Sequence, residues 1–279
     1  MPQKSLKMSF CIVVPTLNQG PFLSEALNCL SRQGDVLSQI IIYDAGSTDE
    51  TPQIIQKYLA SEPRAVAHTR ADSGQSDALN KGFKQSTGSY LGYLNSDDIL
   101  NNDALAKAFA IFSSHPSIDI VTGSRSFIGP AGRKILSLKP FPLAHLEKPW
   151  TTGFFQEATF WRRSAYERAG GFIDTELRFA MDVDLWVRMR QNGSRVYRDP
   201  TILGFFRLHG SSKSITKANT DARREIAQIS NQNKFGFEDY TAISSANWRS
   251  IQSEIGFIRT LILRKKIGLV HKPSVFRRF

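Results

Sequence analysis

In the first half of the chain, short β-rich apolar runs alternate with stretches whose apolar residues recur at helical spacing. Residues 9–14 form the first run, closed by Pro15. Residues 22–30 follow, with Phe22, Leu23, Ala26, Leu27 and Leu30 on one face of a helix. Residues 39–43 and 65–68 are further strands. Residues 51–59 form a helix that takes Pro52 near its start, where a missing N–H costs little. Residues 76–85 predict a helix stopped near Gly88, 90–94 a strand, 103–112 a helix of strong formers, and 118–122 another strand. This alternation predicts a parallel α/β sheet.

Past Gly123 the pattern changes. Residues 126–138 hold the turn Gly129-Pro130-Ala131-Gly132 between two short strands. Residues 158–161 are strand-like, and 164–169 form a short helix ended by Gly170-Gly171. Residues 182–191 form a helix stopped by Asn192-Gly193, and 202–208 a last strand. From residue 219 the chain is helical and polar, then basic. No repeat and no clean linker divides it. The expected organisation is one α/β domain over 1–216 and a helical, basic C-terminal extension over 217–279.

Composition narrows the class. With 279 residues, 41% hydrophobic and 11% aromatic, the chain is globular and not disordered. The net charge of +11 points to an acidic partner, such as nucleic acid, an anionic membrane surface or a phosphorylated substrate. That charge is uneven. Residues 255–279 carry seven Lys or Arg and no Asp or Glu, interleaved with apolar residues. Such a tail suits an anionic membrane surface, or equally a helix packed on the domain with a solvated basic face. Cys11 and Cys29 lie in apolar runs and read as buried thiols of a reducing compartment. The N-terminus lacks the apolar core of a signal peptide, and no apolar run reaches the roughly 18 residues that span a bilayer. The expectation is a cytoplasmic protein, soluble or peripheral on the inner face of the membrane.

Open α/β sheets bind ligands beyond the carboxyl ends of their strands. The residues just past the strands are Pro15-Thr16-Leu17-Asn18, Asp44-Ala45-Gly46-Ser47, Asp72-Ser73-Gly74-Gln75 and Asn95-Ser96-Asp97-Asp98. Carboxylates converging on one edge repel each other unless they hold a cation or hydrogen-bond a ligand. Asp97-Asp98 is placed to hold a divalent ion, or to cap the next helix. Asp182 opens a helix, facing a cleft as a general base or serving as a cap. The helix end there favours its ionised form. Asp182 and Asp184 point to different faces. His209 follows the last strand in a Gly/Ser loop, where metal or diphosphate contact is open to it. No GxGxxG follows the first strand, and no P-loop is present.

In this order, the segments at residues 13–18, 44–51, 72–82, 94–98, 156–163 and 181–186 resemble the family 2 glycosyltransferases, inverting enzymes with a GT-A fold, of the kind that builds bacterial surface polysaccharides. The likeness covers about residues 9–215. It implies a GT-A-like, Rossmann-related mixed sheet flanked by helices, with nucleotide-sugar binding over about 1–123 and the acceptor side over about 124–216. It further implies that Pro15, Thr16, Asn18 and Asp44 meet the base and ribose of a nucleotide-diphosphate sugar, in a loop shaped by Gly46 and Ser47. Asp72, Gln75, Asn80 and Lys81 would lie near the ribose or diphosphate. Asp97 and Asp98 would hold Mg²⁺ or Mn²⁺ with help from His209. Asp182 would take the proton from an acceptor hydroxyl. The implied acceptor is a glycan or a lipid-linked sugar.

The chain departs from the family pattern at three places: Ala45 and Asn95 stand where Asp is usual, and Met181 where Glu is usual. Asn95 leaves open which of Asp97 and Asp98 binds the ion. No Gln-x-x-Arg-Trp segment is present, which argues for transfer of a single sugar. Two other readings compete. A sugar-phosphate nucleotidyltransferase needs a Gly-rich basic loop after the first strand, and residues 15–20 are not that loop. A nucleic-acid-binding protein is suggested by charge alone and carries no recognised motif, so nucleic acid is not an expected partner.

Overall fold

Strand β1, Lys7–Thr16, is the centre from which the domain is built. Phe10, Cys11, Ile12, Val13 and Val14 are all fully buried, so successive side chains fill both faces of the sheet. Phe10, Ile12 and Val14 pack on one side against α1 (Gly20–Ser31), α2 (Thr51–Ser61) and α4 (Ala104–Ser114). Cys11 and Val13 face the other side, toward α3 (Gln75–Gln85), α5 (Arg163–Arg168) and α6 (Met181–Gln191). A continuous apolar run is therefore what a strand covered by helices on both faces requires. In a computed structural model, residues 7–139, 154–210 and 221–233 are described.

The other strands are β2 (Leu37–Asp44), β3 (Ala65–Thr69), β4 (Gly88–Tyr93), β5 (Ile99–Leu100), β6 (Ile120–Ile128), β7 (Lys134–Leu138), β8 (Thr159–Arg162) and β9 (Val196–Arg207). The sheet runs β3-β2-β1-β4-β8-β6-β9-β5, with β7 paired to β6. The pairs β2–β3, β1–β2 and β1–β4 are parallel. Strand β8 is antiparallel to both β4 and β6, and β5 is antiparallel to β9. Alternation alone predicts a parallel sheet, whereas the structure is the mixed sheet that the family resemblance implied. The register pairs Thr16 with Asp44 and Asp44 with Thr69, so the ends of β1, β2 and β3 reach one edge together.

Three differences from the sequence expectation have local causes. Strand β1 continues through Pro15, because by that point only β2 is still paired to it, with Pro15 opposite Tyr43. Strand β6 runs straight through Gly123, where a Cβ would collide with the side chain of Leu203 on β9. Gly123 is thus a point of close strand approach and not a break. Strand β5 has only two residues, too few for any periodicity to reveal.

Cys11 and Cys29 are buried free thiols, and burial pushes both up to about 12, so neither is a thiolate nucleophile. Helix α7 (Asp221–Gln232) lies in the segment expected as an extension, yet Ile229 is fully buried in the cluster that holds Leu185 and Trp186 of α6. The basic tail at 255–279 and part of the acceptor-side stretch, 140–153, lie outside the described residues. Among those described, no helix is long and apolar enough to cross a membrane.

Candidate active site

Two loops at the sheet edge are stitched into one surface. Ala45 N–H donates to the Thr16 carbonyl at 3.0 Å. Asn18 takes a left-handed backbone (φ 52°), which Asn tolerates better than most residues. This turns its own N–H onto Ser47 Oγ at 2.8 Å and lets its Oδ1 accept Thr48 N–H at 2.8 Å. Gly46, at φ 95°, makes the opposing turn. Beneath them Asp44 is fully buried. Its Oδ1 accepts the Ser47 N–H at 3.0 Å and the Ser47 hydroxyl at 2.5 Å. Asp44 Oδ2 and Thr16 Oγ1 are buried and find no hydrogen-bond partner among the described residues. Unsatisfied buried oxygens are costly, and a ligand bearing N–H or O–H groups relieves them.

At the start of α3 the expected residues divide. Asp72 Oδ1 accepts Gly74 N–H at 2.9 Å and shapes the turn. Gln75 Nε2 reaches Asn95 Oδ1 at 2.7 Å, beyond the end of β4. Asn80 instead spends its amide on the backbone of Ile173, donating to the carbonyl at 2.8 Å and accepting the N–H at 2.7 Å. Lys81 pairs with Asp77 at 2.9 Å on the helix surface. In this arrangement Asn80 is a splint between α3 and the segment before α6, and its amide is not turned to a diphosphate.

Past β4 the acidic pair is held by β9. Asp98 is buried, and both its oxygens accept hydrogen bonds: Oδ1 from Arg207 N–H at 2.9 Å, Oδ2 from Asn95 Nδ2 at 3.2 Å. Burial, with the negative charges of Asp97 and Glu157 nearby, pushes its pKa well above the usual carboxylate range. Asp97 is 23% exposed, and His209 Nε2 donates to its Oδ2 at 2.9 Å. The Phe22 ring packs 4.3 Å from the imidazole. Arg207 locks the turn, donating from Nε to the Asp97 carbonyl at 2.8 Å and from Nη2 to Glu25 at 2.6 Å. The structure therefore separates the two carboxylates that the sequence left undecided: Asp98 is tied inward and Asp97 faces outward with His209. No group of three or more His, Cys, Asp or Glu side chains able to hold a metal stands among the described residues.

Asp182 lies in the first turn of α6, and its Oδ1 accepts Val183 N–H at 2.8 Å. It keeps some water-accessible surface, but the protein packed around its carboxyl raises the pKa to about 6. The backbone amides and Arg125 pull the other way and are outweighed. The expectation that the helix end favours the ionised form is thus reversed by burial. Asp184, on another face as expected, pairs with Arg188 at 2.7 Å. Arg125 and Glu157 complete the site. In their bidentate pair (Nε–Oε1 2.7 Å, Nη2–Oε2 2.5 Å) Glu157 is buried and Arg125 half-buried, and the guanidinium lies over the rings of Phe127, Phe155 and Phe206. Glu157 raises and Arg125 lowers the carboxyl pKa of both Asp98 and Asp182. Gln156 extends the contact, donating to the Tyr93 carbonyl at 2.7 Å and accepting from Asn95 at 3.0 Å.

The family model described as Glycosyl transferase family 2 matches residues 11–170. The chain belongs to that family. A PGL/p-HBAD biosynthesis glycosyltransferase of Mycobacterium bovis is 35% identical over 116 residues, 41% of this chain and 45% of the relative's length. The chain thus spans about half the length of the curated relatives it matches first. Among solved structures, S. aureus TarS 1–349 in complex with UDP-GlcNAc superposes with a TM-score of 0.63 at 20% identity, covering 80% of this chain and 66% of that one. The mannosyltransferase PcManGT from Pyrobaculum calidifontis, with GDP-Man and Mn²⁺, gives 0.61 at 19% identity, covering 78% and 63%. At these identities the structures establish the shared fold. Membership of glycosyl transferase family 2 speaks against the nucleotidyltransferase and nucleic-acid readings of the sequence.

The family match ends before Asp182, Arg207 and His209, so the placing of these residues comes from the geometry. Sequence reasoning missed Arg125, Arg178 and Arg207. Arg207 had a visible signal, a cation directly following the apolar run 202–206, whereas Arg125 lies between two serines and had none. Arg178, whose Nη1 donates to the Ser73 carbonyl at 2.5 Å, had none.

Proposed function

We propose that the protein is an inverting glycosyltransferase that moves one sugar from a nucleoside diphosphate donor to an acceptor hydroxyl in the assembly of a surface glycan. The observation that carries this reading is the pair of buried oxygens at the strand ends, Asp44 Oδ2 and Thr16 Oγ1, which find no partner among the described residues and which a nucleotide's N–H and O–H groups would satisfy. Neighbours of the same fold are solved with UDP-GlcNAc and with GDP-Man and Mn²⁺, which supports a nucleotide-sugar donor.

In this reading the base and ribose lie over the loops at Thr16–Asn18 and Asp44–Ser47, giving the buried oxygens of Asp44 and Thr16 their missing donors. Asp97 would hold the cation through a carboxylate oxygen, a hard donor that Mn²⁺ and Mg²⁺ accept, and His209 would join it by giving up the Nε2–H it donates to Asp97. When bound, such an ion offsets the charge of the departing diphosphate. Asp182 takes the acceptor's hydroxyl proton as that oxygen bonds to the anomeric carbon. The bond from that carbon to the diphosphate breaks on the opposite face, which inverts the configuration. With a pKa of about 6, Asp182 is ionised at neutral pH yet more basic than an ordinary carboxylate.

The direct test is a thermal-shift screen of UDP-GlcNAc, GDP-mannose and related nucleotide sugars, with and without Mn²⁺. At least one is expected to stabilise the protein, and by more with Mn²⁺, as ligand linkage requires. Absence of any such shift across the panel would remove the proposal. The basic tail at 255–279 is the segment that would rest on an anionic membrane surface. Its deletion is expected to release the protein from anionic liposomes in a sedimentation assay, and undiminished binding would remove the membrane role.

A further inference from the structure

Glu225 stands on α7, beyond the stretch matched by the family model. It is only 4% exposed, and its carboxylate accepts three consecutive backbone N–H groups. Arg178 N–H donates to Oε1 at 2.9 Å, and Phe179 and Ala180 N–H donate to Oε2, both at 2.8 Å. These residues lead into α6, and Ala180 is its N-cap. Alanine has no side chain with which to cap a helix, and no side-chain cap is made at this position. A carboxylate from another helix takes that place, where the field of the helix favours a negative charge. Hydrogen bonds to an ionised acceptor are the strong ones, and here three converge on one side chain.

Helix α7 is itself fixed. Ile229, one turn further on, is fully buried among residues that include Met181, Leu185 and Trp186, and Ile226 packs against the same cluster. The anchored run 178–180 has two outputs. Two residues after Ala180 comes Asp182. At its other end Arg178 turns outward and donates to the Ser73 carbonyl, in the loop ahead of α3 on the donor side. Asn80 adds a second tie from α3 to the same region through Ile173.

We infer that Glu225 is a positioning residue for sugar transfer: by clamping the backbone of residues 178–180 it sets Asp182 for proton abstraction and ties the donor loop to the base. The inference rests on the reading of Asp182 as the base. It also makes α7 a working part of the catalytic domain. Were Glu225 only glue for α7, its loss would lower the melting temperature and leave the turnover of the folded enzyme unchanged.

The test uses the full chain with two variants, Glu225→Ala and Glu225→Gln. Amide hydrogen exchange is followed over residues 178–182. Release of nucleoside diphosphate is measured from UDP-GlcNAc or GDP-mannose with Mn²⁺, whichever the wild type turns over. Exchange is expected to accelerate in both variants. Loss of all three charge-assisted bonds is expected to lower kcat about 100-fold in Glu225→Ala, while the carboxamide of Glu225→Gln, keeping one acceptor oxygen, limits the fall to about 10-fold. KM for the donor is expected to rise by less than kcat falls, because the clamp reaches the donor loop only through Arg178 while it holds the run into Asp182 directly. Should the Ala variant fail to fold, the near-isosteric Gln variant decides the matter. Wild-type exchange over 178–182 in either variant overturns the proposal, as does faster exchange with unchanged kcat. Full turnover in Asp182→Asn would instead fail the base assignment, while the exchange measurement still decides whether Glu225 holds this segment.

Discussion

Replacing Asp182 by Asn is expected to lower kcat for sugar transfer by about 10²–10⁴-fold, the usual worth of a positioned general base, with donor KM nearly unchanged. Asn keeps the shape and the oxygen that accepts Val183 N–H, so only the proton acceptor is lost. The wild type is expected to lose activity on the acid side with a midpoint near pH 6, because burial lifts the Asp182 carboxyl to about that value. The stability consequence has the opposite sign. A carboxyl whose pKa is raised from 3.8 to about 6 on folding is stabilised in the folded state while protonated, and that advantage is lost as the pH rises through this window. Asp182→Asn, which never ionises, is therefore expected to melt higher than wild type above pH 6 and at the same temperature below about pH 4. An inactive variant that also melts lower at pH 7.5 would mean that Asp182 holds the fold together, and would remove it from the chemistry.

The parts of this molecule legible in the sequence are those where local pattern and fold demand the same residues. The run around Ile12 and Val13 is apolar throughout because both faces of β1 are covered, and that is visible without coordinates. The strand-end loops are legible too, since Asn18, Asp44 and Gly46 are residue types that tight turns and buried polar anchors select. What stayed hidden depends on pairings across many residues. Asn80 looks like any polar residue in the middle of a helix, and only its contact with Ile173 shows it to be a splint. Arg207 fixes the Asp97 turn across 110 positions of sequence, and Glu225 holds Ala180 across 45. The charge state of Asp182 is hidden for the same reason. Helix position argued for an easily ionised group, but the carboxylate serving the run-in to α6 is that of Glu225, and the packing around Asp182 outweighs what remains.

Replacing Asp97 by Ala is expected to lower kcat/KM by about 10²–10³-fold, in line with the several kcal/mol that a cation contributes at a departing phosphate. The variant is also expected to lose the Mn²⁺-dependent part of its thermal stabilisation by nucleotide sugar. The contrast with Asp98 carries the argument. Asp97 is partly exposed, so its removal takes one hydrogen bond from the buried His209 imidazole and no more. Asp98 accepts Arg207 N–H and the Asn95 amide in a buried setting, and Asp98→Ala strands both donors at about 1–3 kcal/mol each. Denaturant unfolding of the metal-free proteins is thus expected to show a clear loss for Asp98→Ala and a smaller one for Asp97→Ala. Asp98→Asn keeps one acceptor oxygen and turns an NH2 toward the other donor, so it is expected to lose less than Asp98→Ala in the same assay. If Asp97→Ala retains the full Mn²⁺-dependent shift and Asp98→Asn loses it, the outward and inward roles are reversed. The ion would then have to draw Asp98 away from Arg207, which would make the 2.9 Å bond to the Arg207 N–H a latch that opens on metal binding.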